Sequence, residues 1–311
     1  MQKKRVVIAL GGNALSPPKK KQSYQGLRKN IISVSKHLLP LLSNHEVVIV
    51  SGSGPQVGNL ILQNECAKKK VSPLPLDVLD AEVEGELGYL IQQALRNELR
   101  KHQKSQEVIT LLTQVVVNKQ DPAFHRPTKP VGPVYTAQQA KKLQRKGWNM
   151  VNDAHRGYRR VVASPQPSII IEKEAIINLL RNNMVVVAAG GGGIPVTINK
   201  NEIKGVQAVI DKDLASAVLA KNIKADFLLI ITDVNKVHLH HGKKHQQPLT
   251  QINLQQAQQY MREGHFPEGN MGPKIQAAIN FLKSSGKKVI ITSPSSIEKA
   301  LKGKEGTTIT K

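Results

Sequence analysis

The chain has 311 residues, 40% of them hydrophobic but only 3% aromatic, and a formal charge of +23 from 45 basic against 22 acidic residues. A single cysteine, Cys66, excludes an intramolecular disulfide and points to a reducing compartment, with the cytoplasm as the expected location. The charge raises the possibility of nucleic-acid binding. However, the lysines and arginines fall in small scattered groups, and four Phe, five Tyr and one Trp leave little for base stacking, so a specific nucleic-acid role is not expected.

In chain order, the first apolar run covers residues 6–10 and ends in Gly11-Gly12-Asn13. It is too short for a signal-peptide core or a membrane span, so no membrane association is expected. Leu27, Ile31, Val34, Leu38, Leu41 and Leu42 then recur at helical spacing, the mark of one buried helix face. A second strand at 47–50 runs into Ser51-Gly52-Ser53-Gly54, and Val83, Leu87, Leu90, Ile91, Ala94 and Leu95 define another helix before a strand at 108–112. The rhythm breaks over 115–167, which is rich in Pro, Lys and Arg and includes DPAFHRPTKPVGP, as an inserted subdomain or lid would be. The apolar run at 184–189 leads into Gly190 to Gly193, and Asp211-Lys212-Asp213 opens a helix. A strand at 227–231 is followed by Thr232-Asp233, a helix carries Ile275, Ala278, Ile279 and Leu282, and a last strand covers 289–291.

Short β-branched strands alternating with amphipathic helices predict an α/β fold with a mainly parallel sheet covered on both faces. Ligands of such sheets bind beyond the carboxyl ends of the strands, so the dispersed glycine turns are expected to face one cleft. Glycines there let backbone N–H groups approach a phosphate closely, although the same turns could serve as tight loops without a ligand. Three parts are expected: an N-terminal lobe at 1–114, the lid at 115–167 and a C-terminal lobe at 168–311. The chain lacks G-x-x-x-x-G-K-[ST] and the protein-kinase H-R-D and D-F-G strings, which argues against both a Walker-type ATPase and a protein kinase. No protein metal site is expected. Cys66 has no ligand spacing, and His238, His240, His241 and His245 lie in a polar Gly/Lys stretch that reads as a solvated hairpin.

Taken in order, VVIALGGNAL, GSGPQVGNL, PTKPVGPVY, RGYRRVVASPQP, AAGGGGIPV, GVQAVIDKDLASAVLA, LIITDVNKV and GNMGPKIQAA resemble the carbamate kinases of the amino-acid kinase family across almost the whole chain. The resemblance implies a three-layer αβα sandwich, usually a homodimer, with a small protruding lid over the active site. It also implies interconversion of ATP plus carbamate with ADP plus carbamoyl phosphate, using Mg2+, commonly toward ATP in arginine fermentation. The N-terminal lobe would then hold carbamate and phosphate, and the C-terminal lobe the nucleotide. Matching motifs place Gly11, Gly12 and Asn13 on the transferring phosphoryl group, with Gly52, Ser53 and Gly54 beside it. Lys212 and Lys274 would neutralise its charge, Asp213 would orient those lysines, and Lys129 would reach in from the lid. Gly191, Gly192, Asp233, His238, Met271, Gly272 and Pro273 would border the nucleotide.

Residue chemistry is consistent with this. Phosphoryl transfer needs positioning and charge neutralisation more than covalent catalysis, and carbamate is already an anion that needs no general base. Two departures stand out. Ser51 and Ser53 occupy a turn that is commonly His-Gly-Asn-Gly-Pro-Gln in the family, and His238 stands where tyrosine is usual. The alternatives are a relative that binds nucleotide or carbamoyl phosphate without efficient turnover, and a kinase for another small carboxylate.

Overall fold

The structure, a computed structural model, describes residues 3–15, 23–153, 157–267, 270–284 and 286–311; of Asn13 only the backbone is described. In chain order the strands are β1 (Lys4–Leu10), β2 (His45–Ser51), β3 (Val108–Leu111), β4 (Gln114–Val117), β5 (Lys129–Tyr135), β6 (Met150–Asp153), β7 (Gly157–Val162), β8 (Pro167–Ile170) and β9 (Val185–Ala188). They continue as β10 (Ile194–Asn199), β11 (Glu202–Gly205), β12 (Phe227–Ile231), β13 (Val237–Leu239), β14 (Gln247–Leu249), β15 (Gln251–Asn253), β16 (Lys288–Thr292) and β17 (Thr307–Thr310). The helices are α1 (Gly12–Leu15), α2 (Tyr24–Asn44), α3 (Gly54–Ala67), α4 (Leu76–Lys101), α5 (Ala137–Gln144), α6 (Lys173–Arg181), α7 (Lys212–Asn222), α8 (Leu254–Arg262), α9 (Met271–Ser284) and α10 (Ile297–Leu301).

An eight-stranded sheet in the order β15-β17-β16-β12-β1-β2-β9-β3 forms the centre. β1 pairs in parallel with β2 and β12, and β9 pairs in parallel with β2 and β3, while β16 and β17 run antiparallel. Period-two alternation divides each central strand between two cores. Val6, Ile8 and Leu10 of β1 face a core built with α2 and α4, where Leu38, Leu42, Leu87 and Ile91 are buried. Val7 and Ala9 face the other core, with Ile176 of α6, Ala215 and Leu219 of α7, and Ile275 and Phe281 of α9. Helices therefore cover both faces, and strands apolar on both sides lie in the middle, as parallel sheets require.

β1 stands where the strand order reverses. The chain adds β2, β9 and β3 on one side and β12 and β16 on the other. Leu10 is in register with both Ser51 and Ile231, so the turns after β1, β2 and β12 emerge at one edge.

The segment 115–167 divides between two smaller sheets. β4 joins β8, β10 and β11 in a four-stranded sheet, whereas β5, β7 and β6 form a three-stranded sheet of their own. That second sheet is seated on α3, where a Cβ built on Gly58 would lie 2.0 Å from both Cα and N of Gly132. Two strand ends differ from expectation by a residue. β3 stops at Leu111, leaving Leu112 half exposed, and Ala189 turns into the left-handed region at φ 49° and ends β9. The hairpin β10–β11 carries no long apolar run, and β11 is exposed throughout, so its sequence has no buried-strand pattern.

Candidate active site

Four turns meet at the carboxyl edge of the sheet. Gly11 follows β1 with its N–H donating to the Ile231 carbonyl at 2.8 Å, and Gly52 follows β2 with its N–H donating to the Leu10 carbonyl at 3.0 Å. A Cβ on Gly52 would lie 2.9 Å from the Gly12 nitrogen and 3.1 Å from Cδ of Lys212, so these three segments are in contact across the cleft floor. Only glycine fits there. The helices α1, α3, α7 and α9 begin at or beside this edge, at Gly12, Gly54, Lys212 and Met271. The longer ones present the positive ends of their dipoles and free N–H groups to an anion.

The charged centre is a relay of three lysines and two aspartates. Asp211 caps α7: its Oδ1 accepts the Asp213 N–H at 2.9 Å, and its Oδ2 accepts Lys129 Nζ at 2.5 Å. Asp213 accepts from Lys212 on one oxygen and from Lys274 on the other, the latter at 3.2 Å. Lys274 also donates to the Asn270 carbonyl at 3.2 Å. Lys212, Asp213 and Lys274 are buried. Burial lowers the affinity of Lys212 for its proton, and Asp213 only partly compensates. Burial acts the same way on Lys274, but Asp213, Asp211 and Asp233 outweigh it and hold that ammonium above the ordinary lysine value. For Asp211, burial opposes ionisation, yet Lys129 and Lys212 prevail and keep its carboxyl well below the usual range. Three cations share two anions, which leaves the cluster suited to a polyanion.

The structure brings Lys129, Lys212, Asp213 and Lys274 together with the Gly11, Gly12 and Gly52 turns. The side chain of Asn13 lies outside the described residues. Ser53 is the N-cap of α3 yet makes no capping bond through its side chain, and a Cβ on Gly191 would lie 2.4 Å from its hydroxyl. Gly54 opens that helix with free space where a Cβ would be. Gly192, at φ 108°, is pressed against the Ile210 carbonyl immediately before Asp211. The glycine turn after β9 thus packs against the residue that leads into Asp211. Asp233 follows β12 and accepts the Thr232 hydroxyl at 3.1 Å. Met271, Gly272 and Pro273 form the first turn of α9, and the Gly272 N–H donates to the Pro267 carbonyl at 3.0 Å. His238 sits on the β13–β14 hairpin opposite Pro248, its ring 5.9 Å from that of His241.

Two site residues escaped sequence reasoning. Asp211 was visible as the first acid of Asp-Lys-Asp, but its role as cap and as Lys129's partner depends on the fold. Glu84 of α4 is 1% exposed, and its two oxygens accept the N–H groups of Gly190 at 2.9 Å and Thr113 at 3.1 Å. Its signal was an acid beside Val83 on the apolar stripe of α4. Burial dominates over those two bonds and pushes its carboxyl up to about 8.

Among the described residues no group of three or more His, Cys, Asp or Glu is arranged to hold a metal ion. The carboxylates Asp211 and Asp213 are engaged by lysines, so the protein side of the cleft has no carboxylate cage for a divalent cation. No helix of the described residues is long and apolar enough to cross a membrane.

A parallel sheet with converging glycine turns and a lysine cluster at its carboxyl edge defines a phosphate-handling α/β protein, and residues 4–293 match the amino acid kinase family, to which the chain belongs. Its full-length relatives narrow the similarity further. The carbamate kinase of Pyrococcus horikoshii is 47% identical over 98% of this chain and 99% of its own, and the carbamate kinase-like protein YahI of Escherichia coli is 45% identical over 99% of each. Among solved structures, carbamate kinase from Giardia lamblia is 42% identical, covering 99% of this chain and 98% of its own, with TM-scores of 0.94 bound to citric acid and 0.91 bound to AMP-PNP.

Proposed function

We propose that this protein is a carbamate kinase, moving a phosphoryl group reversibly between ATP and carbamate. The observation that carries the reading is the meeting of Lys129, Lys212 and Lys274 on Asp211 and Asp213, beside the Gly11–Gly12 and Gly52 turns. In the forward direction a carbamate oxygen forms a bond to the γ-phosphorus as the bond from that phosphorus to the β–γ bridging oxygen breaks, and ADP leaves with the electron pair. Carbamate is already ionised, so no proton has to be removed, and the site offers cations and N–H donors instead of a general base. Lys212 and Lys274, held apart by their shared carboxylate, neutralise the charge spread over the transferring group. Lys129, carried by β5, closes over it as the lid contribution of 115–167, and the 1–114 and 168–311 segments supply the carbamate and nucleotide sides. Gly191, Gly192, Asp233, His238 and the start of α9 border the nucleotide.

Mg2+ would accompany ATP or ADP, where it would supply charge neutralisation between the phosphates. A homodimer, a cytoplasmic location and use toward ATP in arginine breakdown complete the proposal. Formation of ATP from ADP, Mg2+ and carbamoyl phosphate tests it directly. Absence of turnover together with measurable nucleotide binding would favour the non-catalytic reading raised by Ser51 and Ser53. Turnover with glutamate or acetylglutamate, and none with carbamate, would assign another carboxylate.

A further inference from the structure

A cavity lies at the opposite edge of the central sheet. Its volume is about 490 Å³, and it is lined by Lys4, His45, Asp226, Phe227, Lys287, Lys288, Leu301 and Thr310. Lys4, His45, Phe227 and Lys288 are the first residues of β1, β2, β12 and β16, and Lys4 is in register with His45 as Phe227 is with Lys288. β1 spans seven residues at about 3.3 Å each, so this cavity is about 20 Å from the glycine turns.

Its charge is unbalanced. Asp226 is the single acid in the lining, and its carboxylate is already engaged by the Arg5 N–H at 2.9 Å and by Lys287 at 3.3 Å. Among the described residues neither Lys4 nor Lys288 has a carboxylate partner; Lys288 Nζ lies over the Phe227 ring instead, 5.5 Å from its centre. His45 packs edge-on to the same ring at 5.6 Å and contacts the Leu41 carbonyl through Nδ1 at 3.3 Å. Burial lowers the proton affinity of His45 and Lys4 and Lys3 add to that, outweighing the Leu41 carbonyl and Asp226, which act the other way. The floor is apolar, formed by Phe227 and Leu301.

We propose that this cavity binds a phosphate monoester, its dianionic group against Lys4, Lys288 and a protonated His45 and its organic part over Phe227 and Leu301. A dianion would pair with two lysines that line the same cavity without a carboxylate partner among the described residues. The volume lies within the range of about 300–1,000 Å³ typical of small-molecule sites and exceeds what a bare anion would fill, which selects an ester over inorganic phosphate. Nothing in this assignment depends on the reaction at the other edge.

Phenyl phosphate is the probe, and the readout is the imidazole C2–H resonance of His45, assigned by its loss in His45→Gln. The ester should shift that resonance saturably and raise the pH at which it titrates, and inorganic phosphate should bind more weakly. The double variant Lys4→Gln/Lys288→Gln should weaken binding at least about tenfold while leaving kinase turnover unchanged, because both residues are surface-accessible and remote from the reaction. In Lys212→Ala the shift should persist, which separates this cavity from phosphate binding at the glycine turns. An unresponsive His45 resonance, equal affinity for phenyl phosphate and inorganic phosphate, or undiminished affinity in the double variant would each overturn the proposal.

Discussion

Replacing Gly58 with alanine probes the link between the β5-β7-β6 sheet and the lysine cluster. The new methyl carbon would lie 2.0 Å from Cα and N of Gly132, both backbone atoms. Carbon atoms in contact prefer about 3.5–4.0 Å, so β5 has to retreat from α3 by about 1.5–2 Å. Gly132 itself sits at φ 74°, where few other residues could absorb the change. Lys129 begins the same strand, three residues earlier, and its 2.5 Å contact with Asp211 cannot survive a shift of that size without rearrangement. Misplacement of a catalytic group by about 1 Å can cost about 100-fold, whereas overpacking typically costs about 1–3 kcal/mol of stability. Gly58→Ala should therefore lower kcat for ATP formation by about 10- to 100-fold, while thermal unfolding shows a folded protein melting only a few degrees lower. An unchanged kcat in a folded variant would refute the idea that α3 sets the position of Lys129.

Lys212→Ala and Lys274→Ala should each reduce kcat by about 100- to 1,000-fold with intact far-ultraviolet circular dichroism, since each removes charge neutralisation from the transition state; near-normal rates would remove that lysine from the mechanism. Asp213→Asn leaves two buried ammonium groups without their shared carboxylate, and breaking a buried pair costs about 3–5 kcal/mol, so urea unfolding should register a large loss of stability as well as of activity. Glu84 gives a pH signature. Its folded value, about 8, exceeds the ordinary 4.5, so the fold binds the proton more tightly than the unfolded chain does. The associated stability is fully present below 4.5 and is lost as pH rises through 8. Urea unfolding of Glu84→Gln should show a shallower decline over that window than the unsubstituted chain; parallel curves would exclude Glu84 as the source.

Much of the scaffold was legible in the chain. Residues 6–10, 47–50 and 227–231 are apolar on both faces, which only a sheet covered by helices on each side can bury, and the structure divides Val6, Ile8 and Leu10 from Val7 and Ala9 accordingly. The glycine turns were readable for a similar reason: close backbone approach excludes a Cβ at Gly11 and Gly52. The strands of 115–167 and the β10–β11 hairpin were not, because they are largely half exposed or exposed, and because β4 pairs with β8 and β10, and β5 with β7, across long stretches of sequence.

The lysine cluster shows where local information ends. The family resemblance carried by the ordered motifs pointed to Lys129, Lys212, Asp213 and Lys274, and periodicity established the α/β layers around them. Their grouping, by contrast, depends on strand register at the reversal beside β1 and on the seating of β5 against Gly58, neither of which any single segment encodes. Likewise Glu84 looked like one more helix acid until α4 packed it beneath Gly190, and Lys4 and Lys288, 284 residues apart, became neighbours of one cavity only through the pairing of β1, β12 and β16. Local sequence dictates which faces must be buried; long-range packing alone decides which charges then have to meet.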